Sequence, residues 1–258
     1  TGTSITQAAM RMLSQAGVLV GFCGGGGTPL FMGTEIEWMT PQSEYRPTEY
    51  VQGWLSWWWE DGKRLQAAKH IQFARLAFLQ NIWSRDKDFR QMGFDSRSDA
   101  VTNLIERYRA DIPKQTEVMH LLQLEARMTK ELYKLASIHT DNAGFSREHD
   151  GMDKANGFLN HGNYLAYGLG ATTAWVLGIP HGFAVMHGKT RRGALVFDIA
   201  DIVKDAIVLP LAFICAKENA SEQEFRQECL NYFTTYKALE VMFDTVKDLA
   251  LKKDFETL

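Results

Sequence analysis

The sequence predicts a mainly α-helical protein, a helical bundle preceded by a helix and two strands of a β-rich region. Three observations predict it. Apolar residues recur at helical spacing in nearly every segment from Thr48 onward. Strand-like runs occur only ahead of residue 47, on either side of four consecutive glycines. The 258 residues, 45% hydrophobic and 23% charged, also supply enough apolar surface for one bundle core and a small appendage.

Residues 4–16 carry Ile5, Ala8, Ala9, Met12 and Leu13 at helical spacing behind Thr3 or Ser4 as N-cap, and Gly17 stands where a C-cap glycine belongs. Residues 18–23 read as a buried strand and 28–32 as a second short one, joined by Gly24–Gly27. That glycine run lacks a following Lys-Ser/Thr and leads into Pro29 instead of a helix, so it reads as a strand connection and not a phosphate cradle. A helix and two strands cannot close a sheet alone. They read as the remnant of an amino-terminal β-domain, with residues 33–47 as linker and the boundary between 1–46 and 47–258. The chain opens on Thr1 and reads as cut from something longer.

Beyond the boundary, segments 48–60 and 63–84 are amphipathic, and Trp54, Trp57, Trp58 and Trp59 read as core or interface. Further helices are expected over 98–110, 116–138, 156–178, 198–216 (kinked at Pro210) and 221–252, with loops at 140–155 and 179–193. The uncharged stretch from Leu165 to Met186 has membrane-spanning length. Gly168, Gly170, Gly178 and Pro180 interrupt it, so it reads as a buried helix running into a loop.

A net charge of −3 gives no global pull toward nucleic acid, so any such partner must be held by a local basic patch or a metal ion. Cys23, Cys215 and Cys229 are odd in number and widely spaced. This argues against a zinc site or disulfide framework and for a reducing cytoplasm.

Two places carry chemistry. On helix 116–138, Val118, Leu121, Leu122, Met128, Leu132 and Ala136 all lie within about 60° of Glu125, which puts a carboxylate in the apolar face. Burying it costs several kcal/mol unless it is protonated, paired or metal-bound. An arginine from another helix would satisfy it equally well. Arg127, Lys130 and Lys134 form a solvated stripe on the other side.

The second place runs from His187 to Asp201. His187 lies in a loop, and Asp198 and Asp201, three apart, share one face at the start of the next helix, where acids also simply complement the helix dipole. One imidazole with carboxylates suits Mg²⁺ or Mn²⁺ with open water positions. Lys189, Arg191 and Arg192 add positive charge where a phosphate would dock. His161 and His181 are rival ligands, each more simply read as a packed or capping histidine.

The run Leu121-Leu-Gln-Leu-Glu125-Ala-Arg resembles the glutamate motif of the CRISPR-associated integrase of spacer acquisition, the "Cas one" family. Phe158-Leu-Asn-His-Gly-Asn-Tyr-Leu-Ala-Tyr-Gly, Gly178-Ile-Pro-His-Gly-Phe-Ala-Val-Met-His187-Gly-Lys and Leu195-Val-Phe-Asp198-Ile-Ala-Asp201-Ile-Val-Lys204-Asp follow in the same order. Thr3-Ser-Ile-Thr-Gln-Ala-Ala with Gly17-Val-Leu-Val-Gly resembles the end of the family's β-domain. The resemblance spans nearly the whole chain and is nearest to the type I-F subgroup.

It implies a catalytic Mg²⁺ or Mn²⁺ held by Glu125, His187 and Asp201, with Asp198 as an auxiliary acid. Lys189, Arg191, Arg192 and Lys204 become candidate phosphate contacts. It also implies a metal-dependent DNA endonuclease and integrase, in which a 3′-hydroxyl of spacer DNA attacks a phosphodiester at the repeat border. The implied partners are double-stranded or branched DNA, a second copy of the chain, and a ferredoxin-fold acquisition protein fused to the interference helicase-nuclease, with no membrane. Two rival readings are a non-catalytic helical DNA-binding subunit and a metal-dependent hydrolase of small phosphate compounds.

Overall fold

The computed structural model describes residues 4–18, 20–22, 37–39, 47–142, 144–148, 151, 153–188 and 193–252. Among them the chain runs α1 (Gln7–Gln15), β1 (Val20–Phe22), β2 (Glu37–Met39), α2 (Glu49–Trp58), α3 (Asp61–Arg85), α4 (Lys87–Gln91) and α5 (Asp99–Asp111). It continues through α6 (Val118–His139), α7 (Lys154–Val176), α8 (Ala194–Lys217), α9 (Glu222–Thr235) and α10 (Ala238–Ala250). The mainly helical class is as the sequence predicts.

Helix α8 is the axis of the bundle. Apolar residues lie on every side of it, so it is buried by neighbours all round. α7 and α3 make its most extensive contacts. The approach of α7 is close because small residues line it: a Cβ on Gly162 would stand 2.4 Å from Val208 Cγ1, and one on Gly170 would stand 2.8 Å from the Val196 carbonyl oxygen. The helix runs on through Pro210, where the sequence suggested a kink. Pro210 has no N–H to give Ala206 four residues back, and the Trp83 indole of α3 donates to that carbonyl instead, at 3.0 Å.

Three of the four clustered tryptophans are core. Trp54, Trp57 and Trp58 are buried, while Trp59 is 69% exposed. Trp57 donates from Nε1 to the Leu249 carbonyl near the end of α10, satisfying one of the acceptors a helix C-terminus leaves open. The same crossing needs Gly53, since a Cβ there would meet the Ala250 carbonyl oxygen at 2.0 Å.

Several boundaries differ from the sequence expectation. The N-cap of α1 is Thr6, three or two residues beyond the expected Thr3 or Ser4, because Thr6 Oγ1 accepts from the Ala9 N–H. Gly17 follows at φ 71° as expected. β1 falls inside the expected first strand and pairs antiparallel with β2, Val20 opposite Met39 and Phe22 opposite Glu37. β2 lies in the stretch read as linker, since three residues are too short a run to show alternation. The expected strand at 28–32, the glycine run and Cys23 fall outside the described residues. The expected 221–252 helix is two helices, broken where Lys237 takes a left-handed φ of 54°. The 165–186 stretch is the end of α7 and a loop, and no described helix is long and apolar enough to cross a membrane.

Candidate metal centre

α8 begins at Ala194, so Asp198 and Asp201 lie beyond its first turn and are not dipole-complementing acids. Both are fully buried. Asp205 joins them at i, i+3, i+7, which places all three carboxylates on one stripe of an otherwise apolar helix. Each takes a different partner.

Asp198 organises the loop after α7. Its Oδ2 accepts the N–H of Val185 at 2.7 Å and of Met186 at 3.1 Å, and its Oδ1 accepts the His187 N–H at 3.1 Å. The same Oδ1 lies 2.7 Å from His187 Nδ1. That contact assigns the ring proton to Nδ1 and turns the Nε2 lone pair outward from Asp198, toward Asp201 Oδ2 at 3.8 Å. Burial by itself lowers the His187 pKa; the hydrogen bond to Asp198 and the charges of Asp201 and Asp198 outweigh it, and the net direction is upward.

Asp201 is the exceptional group. Both carboxylate oxygens are buried. The Lys204 ammonium pairs with Oδ1 at 2.5 Å. Burial would raise the Asp201 pKa, but Lys204, His187 and Arg75 outweigh it and hold the carboxyl below its ordinary value. A buried carboxylate held below its ordinary pKa, with Oδ2 turned to the His187 ring, fits a hard divalent cation.

Glu125 is 13% exposed and stands beside the buried stripe Leu121, Leu124, Met128 and Leu132. Its Oε1 accepts from Arg75 Nη1 at 2.8 Å and from the Thr129 hydroxyl at 3.0 Å. The arginine alternative raised by the sequence is therefore realised. Arg75 is wholly buried on α3. It also donates through Nε to Asp205 Oδ2 at 2.6 Å, through Nη2 to the same oxygen, and to Thr129 at 2.9 Å. Burial opposes the charged guanidinium, but Asp205, Glu125 and Asp201 raise its pKa above the ordinary arginine value.

The structure thus brings His187, Asp198, Asp201 and Lys204 together and ties Glu125 to the same α3–α8 seam through Arg75. Among the described residues, no group of three His, Cys, Asp or Glu side chains stands ready to hold a metal ion. Of the rivals, the His181 ring bonds the Ala171 backbone, while His161 packs on Phe225 with its buried Nε2 lacking a hydrogen-bond partner. Lys189, Arg191 and Arg192 lie outside the described residues. Lys204, expected at a phosphate, is mostly buried against Asp201.

Arg75 and Asp205 were missed from sequence, yet signals were present. Arg75 interrupts the stripe Ile71, Phe78, Leu79 and Ile82 on α3, as Glu125 does on α6. Asp205 continues the Asp198–Asp201 spacing.

Beside the cluster runs a cavity of about 840 Å³ lined by Lys130, Tyr133, Lys134, Phe145 and Arg147 among others. Lys130 and Lys134 are exposed, as the solvated stripe predicts. Tyr133 of its lining feels the charges of Arg147, Lys204 and Asp205, and burial raises its pKa.

Comparison with known proteins places this arrangement. Residues 1–247 match the family model described as CRISPR associated protein Cas1. The chain is 54% identical over 256 residues to a CRISPR-associated endonuclease Cas1 of Pseudomonas aeruginosa, covering 97% of this chain and 79% of that protein. It is 52% identical to the Pectobacterium atrosepticum protein of the same name, over 98% of this chain and 79% of the relative. In fold it resembles a Cas1 protein from Thermotoga maritima, with TM-score 0.66 and 16% identity over 98% of this chain and 85% of the other. It also resembles a casposase bound to integration product, with TM-score 0.66 and 14% identity over 97% and 77%. The chain belongs to the CRISPR-associated Cas1 family.

Proposed function

We propose that this chain is a divalent-metal-dependent DNA endonuclease and integrase of spacer acquisition, with Glu125, His187 and Asp201 as metal ligands. The observation that carries the reading is Asp201: a fully buried carboxylate paired with Lys204 through Oδ1, with Oδ2 facing His187 Nε2 at 3.8 Å. The names of the Pseudomonas and Pectobacterium relatives support the endonuclease. Two structural neighbours, a Cas1–DNA complex and a casposase bound to integration product, support DNA as substrate and joining as reaction.

Bound there, Mg²⁺ or Mn²⁺ would polarise the phosphoryl oxygens and stabilise the charge developing on the leaving oxygen. The chain's own residues do the rest. Asp198 fixes the His187 tautomer and ring plane, so that Nε2 is offered as a ligand. Arg75 and Thr129 fix Glu125 on the α6 side. Lys130, Lys134 and Arg147 give the DNA backbone a positive groove beside the cluster. Lys204 holds the charge of Asp201, and Lys189, Arg191 and Arg192 neutralise the scissile phosphate. In joining, a 3′-hydroxyl attacks phosphorus, one P–O bond forms and one breaks, and the attacking proton leaves as the departing oxygen gains one. Water in place of the 3′-hydroxyl makes the same step a cleavage.

The Glu125–Arg75 pair favours a second reading, a non-catalytic helical DNA-binding subunit, since a paired glutamate needs no metal. Glu125→Gln, His187→Asn and Asp201→Asn separate the two in Mn²⁺-dependent cleavage and joining of branched DNA, with 3′-dideoxy ends as a joining control. Loss of both reactions with DNA binding retained is expected. Substituted chains that act as well as the original would leave only the DNA-binding reading.

The division into 1–46 and 47–258 belongs to this proposal, supported by α1 burying no residue while the core starts at α2. A homodimer and a ferredoxin-fold partner are likewise part of it.

A further inference from the structure

The loop that carries His187 is held from two opposite sides. On one side Asp198 takes the three successive amides of Val185, Met186 and His187. On the other, two indoles of α2 take the two carbonyls immediately before them. Trp54 Nε1 donates to the Phe183 carbonyl at 3.0 Å, and Trp58 Nε1 donates to the Ala184 carbonyl at 2.7 Å. The rings close the same contact, with Phe183 edge-on to Trp58 at 4.8 Å and 85°.

We propose that Trp54 and Trp58 are positioning residues that hold the loop in the posture in which His187 faces Asp201. They act through the loop backbone, across about 130 residues of sequence.

The physical case rests on what a short loop needs. Residues 183–187 contribute five carbonyls and five amides between a helix end and a helix start, outside any regular ladder. Asp198 can satisfy only donors, because an ionised carboxylate is acceptor-only. The carbonyls need donors from elsewhere, and an indole N–H is donor-only and rigid. Two of them, four residues apart on one helix face, meet carbonyls of consecutive residues. A side chain that only filled space would not require this direction. Phenylalanine keeps a ring there but removes the donor and part of the volume, and Trp57→Phe carries the same loss of volume.

Trp57 supplies the control built into the fold. It is buried on the same helix and makes the same kind of bond at 3.0 Å, but to the Leu249 carbonyl of α10. Trp57→Phe and Trp58→Phe therefore remove equivalent bonds with different destinations.

The inference rests on the proposed role of His187, and the experiment keeps the two separable. In the full chain, amide exchange of residues 185–187 is followed by mass spectrometry. The Mn²⁺ concentration giving half-maximal DNA cleavage is measured on the same preparations. Trp58→Phe, and more so Trp54→Phe with Trp58→Phe, is expected to speed exchange in that segment and raise the Mn²⁺ requirement by about tenfold, as for lost outer-sphere support. Trp57→Phe, whose ring packs on Trp54 at 4.7 Å but whose indole bonds α10, should change both far less than Trp58→Phe while lowering thermal stability comparably. If Trp57→Phe reproduces the effect, or Trp58→Phe leaves exchange of 185–187 as it was, the proposal is overturned. If His187→Asn leaves the Mn²⁺ requirement unchanged, the ligand role of His187 falls instead, and the exchange comparison still decides whether the indoles hold the loop.

Discussion

Arg75 grips Asp205 with both Nε and Nη2, and through the same guanidinium holds Glu125, so that α3, α6 and α8 meet on one buried cation. Removing that cation strands two carboxylates in a dry seam. Arg75→Met is expected to cost about 3–5 kcal/mol. Adding Asp205→Leu to it should recover much of the loss, because replacing both partners leaves less uncompensated charge at the seam. Denaturant melts of the two variants check this. A double substitution as damaging as the single would show that the ion pair is not the source of the cost.

Lys204 supplies the positive charge that buried Asp201 requires when no other cation is present. Lys204→Met should destabilise the protein by about 3 kcal/mol through the uncompensated carboxylate. Mn²⁺ should then raise the melting temperature of the variant more than that of the parent, since ligand bound only to the folded state stabilises by mass action. Equal Mn²⁺ responses would remove Asp201 as a ligand.

The pH dependence follows from the His187 shift. Its pKa is raised above 6.5 in the folded protein, so its contribution to stability is fully present below that unfolded value and fades as pH rises through the higher folded one. With chelator present, the parent should lose stability across that window relative to His187→Gln. Mn²⁺ binding should tighten over the same range, because the proton and the metal compete for Nε2. Parallel pH–melting curves for parent and variant would contradict the assignment.

Two glycines on helices should respond in opposite senses. Gly53→Ala drives a methyl into the Ala250 carbonyl, so α2 must move, with an expected cost of about 1–3 kcal/mol. At Gly157 of α7 a Cβ meets nothing within 4 Å, and alanine there should stabilise by about 0.5–1 kcal/mol through helix propensity. Thermal melts read both.

Helix periodicity was legible because it is a local property of the chain. The spacing of Leu121, Glu125, Met128 and Leu132 put a carboxylate beside an apolar stripe, and it lies there. Asp198 and Asp201 were legible as one face, and both meet His187 from it. The partner of Glu125 was not legible, since periodicity says which side chain is turned inward and nothing about what it meets. Arg75 comes from 50 residues away and the Trp58–Ala184 bond spans 126. The sequence by itself determined the helical class, the family and the inward turn of Glu125. Only the tertiary structure decided which buried charge neutralises which, because that depends on helix crossings fixed by Gly53, Gly162 and Gly170 at distances no local pattern encodes.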